Sequence, residues 1–316
     1  MKDQFVVACI DSPHTAPAVI QAAKLFADSL RHKGLMLLNV SRHHKADWLK
    51  DYGLPFAALQ GDWATAIEGL PTAFNAILAV AAVDPSAPRS SLSNPRTLLR
   101  AFRNCKTAYL TIPHLSPSTP PTSLPHPSHI PPTTKSALPL DEGEFPKGKG
   151  VPHLSPFTFH LSPFTSLTID YRRESKEKLI WASYLARFLH ANLTLALPQY
   201  RDSGLRQQQR NNLLYIQKIF KPLNINYTTH PLPPTTSHLS PLTFYLSPFT
   251  FNLSPPDLLS LTSLHPDLHI ALTTDPREKG LADLLFGTPE LQLLRNPSSP
   301  PILFLNPRDD LYVLCD

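Results

Sequence analysis

Two aspartates, Asp11 and Asp170, each close a short apolar stretch, and a Gly287-Thr288 pair follows late in the chain. A carboxylate in such a place accepts hydrogen bonds, either from a helix start or turn, which Asp favours, or from a ligand. Glycine beside a hydroxyl lets backbone approach an anion; its plainer use is to end or bend a helix. Other constellations are missing from the sequence. There is no GxxxxGK[ST], no HExxH and no Gly-x-Ser-x-Gly. His43-His44 and the scattered histidines of the proline-rich stretches lack metal-ligand spacing, so no metal is expected. Cys9, Cys105 and Cys315 form no CxxC, which excludes the common zinc and dithiol motifs and fits a reducing compartment. No Ser-His-Asp set can be assembled, and the chain is expected not to be an enzyme.

The elements that position the two aspartates repeat. Residues 4–12 read as a buried strand ending in Asp11, followed by a helix from Ala16 to Arg31 and a strand from Leu35 to Val40. Residues 166–173 form a strand ending near Asp170, with a helix from Glu174 to His190 and a strand from Asn192 to Leu197. Strand, helix and strand with short links are a βαβ unit, and the crossover makes the strands parallel. The first half continues with a faint strand at Phe56–Leu59, a strand at Ala76–Val83, a helix at Pro95–Asn104 and a strand at Thr107–Ile112. The second continues with a helix at Leu205–Leu223 and strands at Ile225–His230, Leu268–Thr273 and Ile302–Leu305; an apolar helix is expected at Pro256–Leu264. Trp181, Tyr171 and Tyr184, at helical spacing, read as packing residues.

At 316 residues the chain suits two domains. Its 36 prolines are more than twice the usual share of about 5%. They cluster: residues 113–163 hold 13 prolines in 51 positions, a composition for an extended linker. Within it His153-Leu-Ser-Pro-Phe-Thr-Phe159 is followed by a near copy at 160–166, and further copies occupy 238–255. A proline in every heptad excludes a coiled coil, and the repeats read as disordered inserts in loops. The predicted domains are 1–113 and 166–316, with a linker at 114–165 and a low-complexity insert at 233–255. A net charge of +5 with interleaved acids argues against nucleic-acid binding. The longest apolar run, Ala76–Val83, is too short to span a membrane, and the N-terminus runs straight into a strand, so a cytoplasmic location is expected.

The strand ending in Asp, the long helix, and the later apolar strand followed by Gly-Thr resemble the universal stress proteins. So do Arg172-Arg-Glu-Ser-Lys-Glu-Lys-Leu-Ile-Trp-Ala182 and the closing segment from Pro301 to Asp316. The resemblance covers 166–232 and 256–316 well, and 4–112 moderately. It implies two tandem α/β domains, each a doubly wound parallel sheet of adenine-nucleotide alpha-hydrolase-like type, with strand order 3-2-1-4-5. It further implies pairing of the two domains through edge strands, as in dimers of the family, with the tail 309–316 adding to the contact.

Nucleotide-binding members carry Gly-x-x-Gly, nine residues, then Gly-Ser/Thr after the fourth strand. Here Gly287-Thr288 fits the final pair, while Thr274 and Arg277 stand where glycines belong and Gly280 is out of register. The resemblance therefore implies a nucleotide site of Asp170, Thr274, Arg277, Gly280, Gly287 and Thr288, binding ATP or AMP weakly. Asp11 matches the acidic residue in the first half, but no glycine occurs between Gly69 and Gly143 to form a phosphate loop there. The stretch after Ala76–Val83 reads as flexible and polar, and the first half as a structural partner.

Overall fold

A computed structural model describes residues 4–30, 33–41, 46–113, 164–170, 176–232, 267–273, 288–296 and 299–306. The first half runs β1 (Phe5–Cys9), α1 (Ala16–Ser29), β2 (Gly34–Ser41), a 3-10 turn (Asp47–Tyr52), β3 (Phe56–Gln60), α2 (Trp63–Glu68), α3 (Leu70–Ala73), β4 (Ala76–Val83), α4 (Pro95–Phe102) and β5 (Ala108–Pro113). The second runs β6 (Ser166–Asp170), α5 (Lys176–Leu189), β7 (Asn192–Leu197), α6 (Ser203–Phe220) with a 3-10 turn (Lys221–Leu223), β8 (Tyr227–Pro231), β9 (Leu268–Leu272), α7 (Pro289–Arg295) and β10 (Ile302–Leu305).

All ten strands among the described residues belong to one sheet, in the order β3-β2-β1-β4-β5-β10-β9-β6-β7-β8. Each half has the expected order 3-2-1-4-5 with parallel neighbours. The central strands need apolar side chains on both faces, and β4 meets that demand with all eight residues buried. The outer strands β3 and β8 are mostly exposed, which is why β3 left only a faint trace in the sequence.

The halves join where β5 and β10 pair antiparallel, with Ile302 opposite Thr111, Leu303 opposite Leu110 and Phe304 opposite Tyr109. On one face a single core runs across both halves beneath α1, α5 and α6, from Val19 and Phe26 to Leu185 and Phe220. Phe164 also joins it, its ring 5.4 Å from that of Phe26. On the other face Phe102, Tyr109 and Phe304 are stacked in sequence, with centroids 4.3 and 5.2 Å apart and planes tilted by 19° and 24°. This stack crosses the junction. Asn306 adds a polar stitch there: its Nδ2 donates to the carbonyls of Phe102 and Cys105, each at 2.7 Å, while its Oδ1 accepts from Thr273 Oγ1 at 2.6 Å.

Several local expectations change. The helix expected at Ala16–Arg31 stops at Ser29, and the one expected at Glu174–His190 is described as Lys176–Leu189. The short helices α2, α3 and α7 had no expectation, because fewer than two turns show no periodicity. A local signal exists for α2: Asp62 caps it, accepting from Thr65 N at 3.1 Å. Trp181 is buried and Tyr184 packs against Phe188 in a tilted pair with ring centroids 4.4 Å apart, as packing residues do. Tyr171, the repeats at 153–166 and 238–255, the expected helix Pro256–Leu264 and the tail 309–316 all lie outside the described residues, Phe164, Thr165 and Ser166 apart.

Candidate functional site

In a doubly wound sheet the strand order reverses beside the first strand, and a crevice opens beyond the strand C-termini at that point. This chain has two such points, between β1 and β4 and between β6 and β9. Asp11 lies two residues past β1, and Asp170 is the last residue of β6.

In the first half the crevice is filled with hydrogen bonds. Asp11 Oδ2 accepts from Ser93 N and Ser93 Oγ, each at 2.9 Å, and from Ser91 Oγ. Asp11 Oδ1 accepts from Thr15 Oγ1 at 3.2 Å, whose oxygen also lies 3.2 Å from Ser12 Oγ. Asp11 is therefore no helix cap; Thr15 holds the cap position of α1, one residue before Ala16. Residues 84–93, read as a flexible polar stretch, form with Asn94 a succession of hydrogen-bonded turns. Asp84 Oδ1 accepts from Ser86 N at 2.8 Å and Ser86 Oγ at 2.6 Å, and Asp84 N donates to Ser93 O at 2.8 Å. Asn94 Nδ2 donates to Ala87 O at 2.8 Å, and Thr97 Oγ1 to Arg89 O at 2.6 Å. Polar composition alone cannot reveal this, because the partners of Ser91 and Ser93 lie some eighty positions earlier in the chain.

In the second half the backbone places Asp170 at the C-terminal end of β6, in register with Ala196 of β7 and one residue beyond the Ile169–Ile270 pairing with β9. Thr288 holds the N-cap position of α7 in extended conformation, with Pro289 starting the helix and no capping hydrogen bond from its own side chain. A Thr-Pro-Glu run is the sequence signal that could have revealed α7. Thr274, Arg277, Gly280 and Gly287 lie outside the described residues, so this half supplies only two of its six expected site residues. Just before Thr274, Thr273 Oγ1 donates to Asn306 Oδ1, tying the end of β9 to the junction between the halves.

Asp267 was not expected to matter, and it sits at the opposite end of the strands. Its Oδ2 accepts from Thr165 N at 2.8 Å, Thr165 Oγ1 at 2.7 Å and Ser166 N at 2.9 Å, which latches the start of β9 to the start of β6. Burial pushes this carboxyl up, but the hydrogen bonds from Thr165 and Ser166 outweigh it and hold the acid below its ordinary value. Cys9 and Cys105 are buried thiols outside any disulfide; burial pushes Cys9 up, with Cys105 and Asp11 adding to the rise. Such a thiol is inert rather than nucleophilic. Among the described residues no group of three or more His, Cys, Asp or Glu could hold a metal ion, and no helix is long and apolar enough to cross a membrane.

Two doubly wound halves, each of order 3-2-1-4-5 and joined through their fifth strands, define a doubly wound α/β fold in two halves. It is the fold of the universal stress proteins. A universal stress protein from Archaeoglobus fulgidus DSM 4304 superposes with a TM-score of 0.54 at 10% identity, over 97% of this chain and 97% of that one. A provisionally assigned universal stress protein from Pseudomonas aeruginosa UCBPP-PA14 gives a TM-score of 0.50 at 12% identity, over 97% and 94%. No protein-family pattern and no curated protein matches the sequence. At these identities the likeness concerns the fold.

Proposed function

We propose that the chain is a stress-response protein of universal stress type that binds ATP or AMP weakly in its second half and acts through conformation or partner contact, without catalysis. The observation that carries this reading is what an aspartate does at the matching point of the first half. There Asp11 gathers paired hydroxyls on one carboxylate oxygen. Asp170 ends β6 at the equivalent switch point, where a ribose diol would offer the same donors. Gly287, Thr288 and Arg277 would then serve the phosphates, with the guanidinium gripping from the side where a glycine would have allowed backbone contact. ATP or AMP requires no metal ligand from the protein in this reading.

Calorimetric titration of AMP and ATP into the intact protein tests it. The expected result is a weak, saturable heat that disappears in Gly287→Asp and in Asp170→Ala. No binding at millimolar nucleotide would overturn the reading. It would favour a protein that keeps the fold for structural or interaction purposes, an outcome to which Thr274 and Arg277 in place of glycines lend weight.

A further inference from the structure

Asp11 stands where a ligand-reading acid belongs, yet its acceptors are already engaged. Ser91 Oγ and Ser93 Oγ lie 2.7 Å apart, and both donate to the same carboxylate oxygen. Two adjacent hydroxyls on one carboxylate oxygen are the arrangement a vicinal diol would make. The Ser93 amide adds a third donor to that oxygen, and Thr15 occupies the other.

This occupant is anchored from three sides. Leu92, between the two serines, is buried at 1% exposure in the core beneath α4, and Ser93 is itself buried. The strand end holds it through Asp84 N to Ser93 O, and α4 holds it through Thr97 to Arg89 O. A nucleotide reaching Asp11 would have to displace the hydroxyls and the amide together, and lift Leu92 out of the core. Charge-assisted hydrogen bonds are the strong ones, so a weakly bound ligand does not win that exchange.

We infer that residues 84–94 are a built-in occupant of the first crevice, with Ser91 and Ser93 as internal ligands of Asp11, so that this half is closed to nucleotides. Combined with the reading of the second half proposed above, the chain takes at most one nucleotide rather than two. The closure of the first crevice does not depend on that reading.

Hydrogen–deuterium exchange on the full chain, with AMP as the probe, separates the two. In the wild-type protein, millimolar AMP is expected to leave exchange across 84–94 unchanged. The Ser91→Ala/Ser93→Ala double variant, and independently Asp11→Asn, are expected to raise exchange across 84–94 by about tenfold or more, while the centres of β1 and β4 stay protected. AMP slowing exchange across 84–94 of the wild type would overturn the inference, and so would a double variant whose loop exchanges no faster. Peptides covering 268–296 report on the second crevice in the same experiment, so failure there is read separately.

Discussion

Phe304 offers the sharpest test of how the halves are held together. Its side chain is fully buried in β10, directly across from Tyr109, with its ring 5.2 Å from the tyrosine ring that stacks in turn on Phe102. Phe304→Ala removes the outer ring of that stack and leaves a cavity on the junction. Truncating a core phenylalanine costs about 3–5 kcal/mol from lost transfer energy and incomplete collapse. Phe304→Leu keeps most of the volume and forfeits mainly the ring–ring term, about 0.5–1.5 kcal/mol. The difference between the two variants separates packing from stacking. Urea denaturation is the assay, and the tryptophans serve as local probes: Trp48 and Trp63 lie in the first half, and Trp181 in the second. Versions retaining either Trp63 or Trp181 alone should report the same midpoint, because one core runs beneath both halves. Phe304→Ala should lower both midpoints together. A loss below about 1 kcal/mol for Phe304→Ala, typical of surface positions, would refute the reasoning, as would movement of the Trp181 midpoint alone.

Two other positions yield expectations of their own. A Cβ added at Gly34 would lie 2.5 Å from Phe5 Cε1 and 2.6 Å from Phe5 Cδ1, so Gly34→Ala should lower stability by about 1–3 kcal/mol through crowding. In a Phe5→Ala background the same change should cost almost nothing, and a thermal-melt double-mutant cycle showing no coupling would refute the contact. Asp267 is held below its ordinary value in the folded chain, so its contribution is complete above the unfolded carboxylate value, about pH 4, and fades as pH falls through the folded one. Asp267→Asn should therefore flatten acid unfolding below about pH 4 in a circular-dichroism titration; an unchanged acid limb would count against the latch.

The parts of the fold that the sequence discloses are those where burial dictates composition. β1 and β4 must be apolar on both faces, and they read as strands at sight. β3 faces solvent on one sheet edge, where burial writes little into the sequence, and it left only a faint trace; β8, as exposed on the other edge, was still legible as the strand Ile225–His230. The strand order came from family resemblance, since periodicity reports an element and not its neighbour. The register of β5 on β10 was beyond reach for a related reason: both are buried apolar runs, interchangeable by composition with the other central strands. The first crevice was half legible. Asp11 stood out by its place after a strand, whereas Ser91 and Ser93 looked like any polar loop until the fold brought them to it. In the second half Asp170 ends β6 and Thr288 precedes α7, and Thr274, Arg277, Gly280 and Gly287 lie outside the described residues.

The antiparallel seam between β5 and β10 has a consequence for dilution. Two separate chains meeting through such a seam would exchange translational freedom for contact each time they met, and their assembly would weaken as the solution thinned. Here both partners belong to one chain, so the local concentration of each half about the other is set by its own covalent tether. The seam therefore stays closed at any abundance of the protein. A substitution also alters only one side of it, so the crevice holding Asp11 and the crevice ending in Asp170 are free to drift apart in sequence without either half losing its mate.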